Sequence, residues 1–155
     1  MPTEPIRIYC GADRSQRLAF RVLEHSIRRH CARPLEIHAI DVNPSRIRQA
    51  EQAEYEGHSF RATSAEAKDR YFGGTGKDGR LRVKAWLKLP VKFRVLNLME
   101  LPDAFADGHF DAVFCRNVLI YFNEATMQRA CALFHRTLRP GAPLFLGHSE
   151  SLLGR

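Results

Sequence analysis

Five short apolar runs recur along the chain, most of them separated by stretches that carry helix-start signals. They are IRIYC at 6–10, LEIHAI at 35–40, VKFRVLNL at 91–98, FDAVFC at 110–115 and PLFLG at 143–147. Each is too short for a helix, and together they are rich in the β-branched and aromatic residues that favour strands. Strands that alternate with helices pack as a mostly parallel sheet covered on both faces. The reading is therefore an α/β, doubly wound, Rossmann-like sheet. At 155 residues the chain is long enough for one core without staples, so a single domain over 1–155 is expected.

The intervening segments support this. In DRSQRLAFRVLEHSIRRHC, Leu18, Val22, Leu23 and Ile27 fall on one helical face, and Asp13 with Gln16 has capping-box spacing. Asn43 and Pro44 form a cap-then-proline signal ahead of SRIRQAEQAEY. Asn123 precedes a helix expected from Glu124 to about Leu138, with Met127, Ala130, Cys131, Phe134 and Leu138 facing inward. The rhythm breaks over 57–90. There YFGGTGKDGRLRV is rich in glycine and RLRVKAWLKL alternates, which predicts a small inserted antiparallel β-subdomain.

Composition excludes several classes. No apolar run approaches a membrane span, and MPTEPIRIYC lacks the apolar core of a signal peptide, so the expected compartment is cytoplasmic. Cys10, Cys31, Cys115 and Cys131 are irregularly spaced and the seven histidines are scattered, so neither zinc nor a disulfide framework is expected. Ten Lys or Arg against Glu66, Asp69 and Asp78 fall within 61–94, so this stretch carries the whole net charge of +7. Such a patch suits an acidic protein surface. It contains no nucleic-acid motif.

In an open parallel sheet, ligands bind beyond the carboxyl ends of the strands. Asp41 closes the second run, where a carboxylate can accept both hydroxyls of a ribose. Asn97 and Leu98 end the third run, and Arg116 and Asn117 end the fourth. An amide beside a backbone group can read an adenine ring through paired donor and acceptor. FGGTGKDG departs from phosphate-loop spacing and reads as a hairpin loop. His148, Ser149 and Glu150 lack a nucleophile elbow, so a hydrolase is discounted.

AIDVNPSRIRQAEQAEY, VKFRVLNL and FDAVFCRNVLIYFNEATMQRACALFHRTLRPGAPLFLGHSESL together resemble the catalytic domain of CheR-type chemotaxis receptor methyltransferases, over about residues 36–153. The resemblance implies S-adenosylmethionine as cofactor and glutamate methyl esters on a receptor protein as product. It implies that Asp41 holds the cofactor ribose, that Asn97 and Leu98 border the adenine, and that Arg116 and Asn117 line the pocket. Tyr121 would stand near the transferred methyl, as the catalytic residue, and the 57–90 insertion would face the receptor. YCGADRSQRLAF stands where the family's glycine-rich loop is expected, and no N-terminal helical domain is recognisable. Residues 5–38 also resemble the start of a nucleotide-sugar glycosyltransferase. Two alternatives stay open: a methyltransferase-like binding module without turnover, and a glycosyltransferase fragment.

Overall fold

The computed structural model describes residues 4–12, 27, 32–61, 63–75, 79–88 and 90–150. The helix expected over 13–31, with its Asp13/Gln16 cap, lies outside them apart from Ile27. So do Cys31 and residues 76–78 of the loop expected in FGGTGKDG.

Five strands form one parallel sheet: β1 (Ile6–Ala12), β2 (Leu35–Asp41), β6 (Val91–Val95), β7 (Ala112–Arg116) and β8 (Leu144–Leu146). Their order is β6-β2-β1-β7-β8, so the direction of winding reverses between β1 and β7. That reversal opens a crevice at the carboxyl edge. Side chains alternate across β1 as the strand period requires. Ile8 and Cys10 bury on one face with Leu35, Ile37 and Ala112, and Ile27 packs partly buried against them. Tyr9 buries on the other face with Phe110, Val113, Cys115 and Phe134.

Helix α1 (Pro44–Gln52) begins where Asn43 Oδ1 accepts the Ser45 N–H at 2.9 Å. It ends earlier than the sequence pattern predicts. Ala53 turns left-handed at φ 56°, and Glu54–Tyr55 leave as strand β3 to pair with Arg82 and Leu81. Strands β3, β4 (Phe72–Thr75) and β5 (Leu81–Val83) make the expected antiparallel element, which therefore starts three residues before 57. The alternation in RLRVKAWLKL is strand only at 81–83; residues 85–87 form a 3-10 turn that buries Leu87. Helix α2 (Ala65–Tyr71) covers this sheet, and Ala53, Tyr55, Phe60, Tyr71, Phe72, Val83 and Leu87 give it an apolar cluster of its own.

Between β6 and β7 lies the short helix α3 (Leu101–Ala104). Helix α4 (Glu124–Thr137) starts at Asn123, whose Oδ1 accepts the Thr126 N–H at 2.9 Å, and carries Glu124 in its first turn with His135 and Arg136 in its last. The Glu124 and Arg136 charges complement the helix dipole. Ala130 and Phe134 reach the core as the spacing predicts, and Thr137 joins them by returning its hydroxyl to the Leu133 carbonyl at 2.9 Å.

Candidate cofactor site

Register fixes the floor of the crevice. Arg116 lies opposite Ala12 across the β1/β7 ladder, Gly11 opposite both Ile40 and Cys115, and Asp41 opposite Val95 across β2/β6. Read along the carboxyl edge, the strand ends present Val95, Asp41, Ala12 and Arg116 in succession. Three inter-strand spacings of about 4.8 Å make this roughly 14 Å, room for a nucleoside carrying an amino-acid tail.

Asp41 is half-buried. Its Oδ1 accepts the Asn43 N–H at 2.8 Å and its carbonyl accepts the Leu96 N–H at 3.2 Å, so the strand end and the start of α1 are tied together. Oδ2 has no hydrogen bond among the described residues and remains available to hydroxyl donors. Val42 and Val95, beside it, are 64% and 53% exposed. Apolar side chains left open next to a carboxylate suit the flat face of a ring joined to a hydroxylated sugar.

Asn97 is exposed and caps the following 3-10 turn by accepting the Met99 N–H at 3.1 Å, which leaves its amide nitrogen free to donate. The Leu98 side chain is 6% exposed and belongs to the main core. Only its backbone can border a ligand. Arg116 is half-buried, and its Nε is a buried donor with no acceptor among the described residues. A buried N–H without a partner is uncommon and favours an acceptor supplied by something that binds. Asn117 follows at φ 58°, a left-handed conformation that asparagine tolerates. The chain then enters a 3-10 turn, Leu119–Tyr121, in which Leu119 is buried and Tyr121 stands 75% exposed.

Two residues of this edge, Gly147 and Glu150, are not among the site residues expected from the sequence. Glu150, set aside above, ties two loops at this edge together: Oε1 accepts the Val118 and Leu119 N–H groups at 2.7 and 2.8 Å, and Oε2 accepts the Gly147 N–H at 2.6 Å. Gly147 is closely packed by these side chains. A Cβ there would lie 2.7 Å from both Asn117 Oδ1 and Glu150 Oε2. The available signal was a Gly-x-x-Glu step directly after an apolar strand. Beneath the carboxylate, burial and then the Glu150 charge push the Cys115 thiol up to about 12, so it stays protonated and unreactive. The described residues contain no group of His, Cys, Asp or Glu able to hold a metal ion.

A family model described as CheR methyltransferase, SAM binding domain, matches residues 16–155. The chain belongs to that family. Chemotaxis protein methyltransferase 1 of Pseudomonas aeruginosa is 42% identical over 120 residues, covering 76% of this chain and 42% of that protein. A chemotaxis protein methyltransferase of Vibrio parahaemolyticus is 36% identical over 157 residues, covering 97% of this chain and 56% of that protein. The chain thus spans about half the length of these relatives. The citrinin polyketide synthase CMeT domain shares the fold, with a TM-score of 0.52 at 19% identity over 94% of this chain and 30% of that one. The family match includes most of the stretch that also resembles glycosyltransferases. S-adenosylmethionine is the methyl donor that the family description names. No helix among the described residues is long and apolar enough to cross a membrane.

Proposed function

We propose that this chain binds S-adenosylmethionine along the carboxyl edge of the five-stranded sheet and is the methyl-transferring part of a protein-glutamate O-methyltransferase acting on chemotaxis receptors in the cytoplasm. One observation carries the reading: Asp41 and the Arg116 Nε donor, which has no acceptor among the described residues, flank the end of β1 at the switch point. The donor set fits the cofactor. Asp41 Oδ2 accepts ribose hydroxyls, Val42 and Val95 pack against the adenine, and the Asn97 amide with the Leu98 backbone borders it. Arg116 donates to an acceptor on the ligand, and Asn117 lines the pocket beside it.

When bound, the cofactor supplies an electrophilic methyl on a sulfonium. A glutamate side chain is already ionised at neutral pH, so the protein needs no base to generate the nucleophile. Its task is to hold donor and acceptor in line. Tyr121, presented at the rim, borders the acceptor side. The receptor partner fits the basic small sheet, where Lys84 and Arg82 are carried beside the exposed Trp86.

Calorimetric titration with S-adenosylhomocysteine tests the reading. Saturable binding that is lost in Asp41→Ala is expected, and no binding by the folded wild type overturns it. A second reading, a cofactor-binding module without turnover, is favoured by the single glycine in CGADRSQ, because close backbone approach to a ligand needs more. Binding without transfer to any acidic receptor segment supports that second reading.

A further inference from the structure

We propose that Glu150 is a positioning residue of the cofactor site. It acts as a brace that holds the Arg116–Tyr121 segment in its ligand-binding conformation. The inference rests on the cofactor reading above and adds a residue that touches no ligand.

The chain takes an irregular path after β7. Arg116 ends the strand, Asn117 reverses direction at φ 58°, and Val118 leads into the 3-10 turn that ends at Tyr121. Such a path leaves the first amides of the turn without internal acceptors. Val118, the N-cap residue, supplies no side-chain hydrogen bond to that turn. Glu150 takes both amides on one oxygen, from 31 and 32 residues away in sequence. Its other oxygen takes the Gly147 N–H, and its own N–H returns to the Gly147 carbonyl at 3.0 Å. Both oxygens of the carboxylate are therefore committed to backbone donors, and the loop after β8 is latched to the loop after β7.

The latch is specific to this side chain. Glutamine keeps one carbonyl oxygen and must turn an NH₂ toward either Gly147 or the Val118–Leu119 pair, where a donor meets a donor. Aspartate is one methylene shorter and cannot reach both loops from the same backbone position. Glycine at 147 is part of the device, since a Cβ there would press on Asn117 Oδ1 and on Glu150 Oε2 together. The two substitutions therefore disturb one contact from opposite sides and should not be additive.

The test uses this chain with S-adenosylhomocysteine, adenosine and amide hydrogen exchange, at a temperature where each variant is folded. In Glu150→Ala, exchange at Val118 and Leu119 should accelerate roughly tenfold or more while Val113 in the middle of β7 is unchanged. Affinity for S-adenosylhomocysteine should fall roughly tenfold, with Glu150→Gln intermediate. The double variant Gly147→Ala/Glu150→Gln should lose little beyond the worse single variant. Unchanged exchange at Val118 and Leu119 overturns the brace. So does affinity within about twofold of wild type in a variant whose exchange is faster, because the segment then moves without consequence for the ligand. Should Glu150→Ala not fold, Glu150→Gln and Gly147→Ala carry the same comparison. If the wild type binds no S-adenosylhomocysteine, the cofactor reading fails, and the exchange data alone still decide whether Glu150 holds the segment.

Discussion

The imidazole of His38 meets that of His109 edge to face, with 5.7 Å between ring centroids, against the rings of Phe105 and Phe110. His38 Nδ1 and His109 Nε2 are both buried without a hydrogen-bond partner among the described residues, while His38 Nε2 contacts Glu36 Oε1 at 2.5 Å. Burial lowers the pKa of both rings. The nearby Glu36 charge opposes that shift in both, while Arg7 and then Arg139 and Lys92 reinforce it for His109, and His109 and Lys92 reinforce it for His38.

A folded-state pKa below the unfolded value means that the unfolded chain takes up protons first as pH falls. Stability from this pair is therefore present above the ordinary histidine value of about 6.5 and is lost as pH falls through the depressed folded values. Thermal midpoints measured from about pH 8 to about pH 5 should fall toward acid, and His109→Gln should flatten that slope. An identical slope in the variant would assign the acid sensitivity to other groups.

How much of this was legible in the sequence depends on the range of the interaction that decided it. Asn43, Pro44 and Asn123 act on amides two or three residues away, so the helix starts could be read directly. The carboxyl ends of the strands were legible because a polar residue must follow an apolar run at a sheet edge. The end of α1 was not. Its terminus is set by Ala53 turning left-handed so that Tyr55 can pair with Leu81, a contact made 26 residues later. Glu150 was missed for the same reason, since its partners lie in a different loop. Lys92 and Arg94 fall within the basic stretch 61–94 but, as the run at 91–98 predicts, they belong to β6 of the large sheet, where Lys92 pairs with Glu36 at 2.9 Å and Arg94 lies over Phe105.

That division sharpens any charge-reversal experiment. Lys84→Glu with Lys88→Glu should weaken docking to an acidic partner in a salt-dependent way and leave the thermal midpoint nearly unchanged. Lys92→Glu should instead lower stability by about 1 kcal/mol, because it sets a second carboxylate against Glu36. Chemical denaturation of each variant, beside binding measured at two salt concentrations, separates the two effects. Equal loss of stability from both substitutions would show that the small sheet depends on its lysines.

Phe134 reports on the core beneath the site. It is fully buried on α4 and meets Tyr9 of the central strand at 6.1 Å between centroids. Phe134→Ala should cost about 3–5 kcal/mol in chemical denaturation, the range for emptying a packed aromatic site. A loss under about 1 kcal/mol would mean that α4 is not anchored through this residue.

Asp41 offers the most direct test of the site. One of its carboxylate oxygens is occupied by the Asn43 N–H, so the side chain is held facing the edge before any ligand arrives. The other can accept from hydroxyls, and each hydrogen bond to a charged acceptor contributes on the order of 1.5–3 kcal/mol. Asp41→Ala should therefore weaken S-adenosylhomocysteine binding by roughly tenfold to a hundredfold or more. Adenosine should lose affinity in the same proportion, because the ribose is common to both ligands. Glu150 substitutions need not follow that pattern, since the segment they release carries Arg116 and Tyr121 rather than the ribose acceptor. Loss of the Asn43 contact in Asp41→Ala also removes support from the start of α1, so Asp41→Asn serves as the control. It keeps an oxygen for that N–H while reducing the charge on the ribose side. An affinity reduced in both variants, with the midpoint preserved in Asp41→Asn, assigns the effect to ribose recognition. Affinity restored by Asp41→Asn would instead assign it to the support of the strand end.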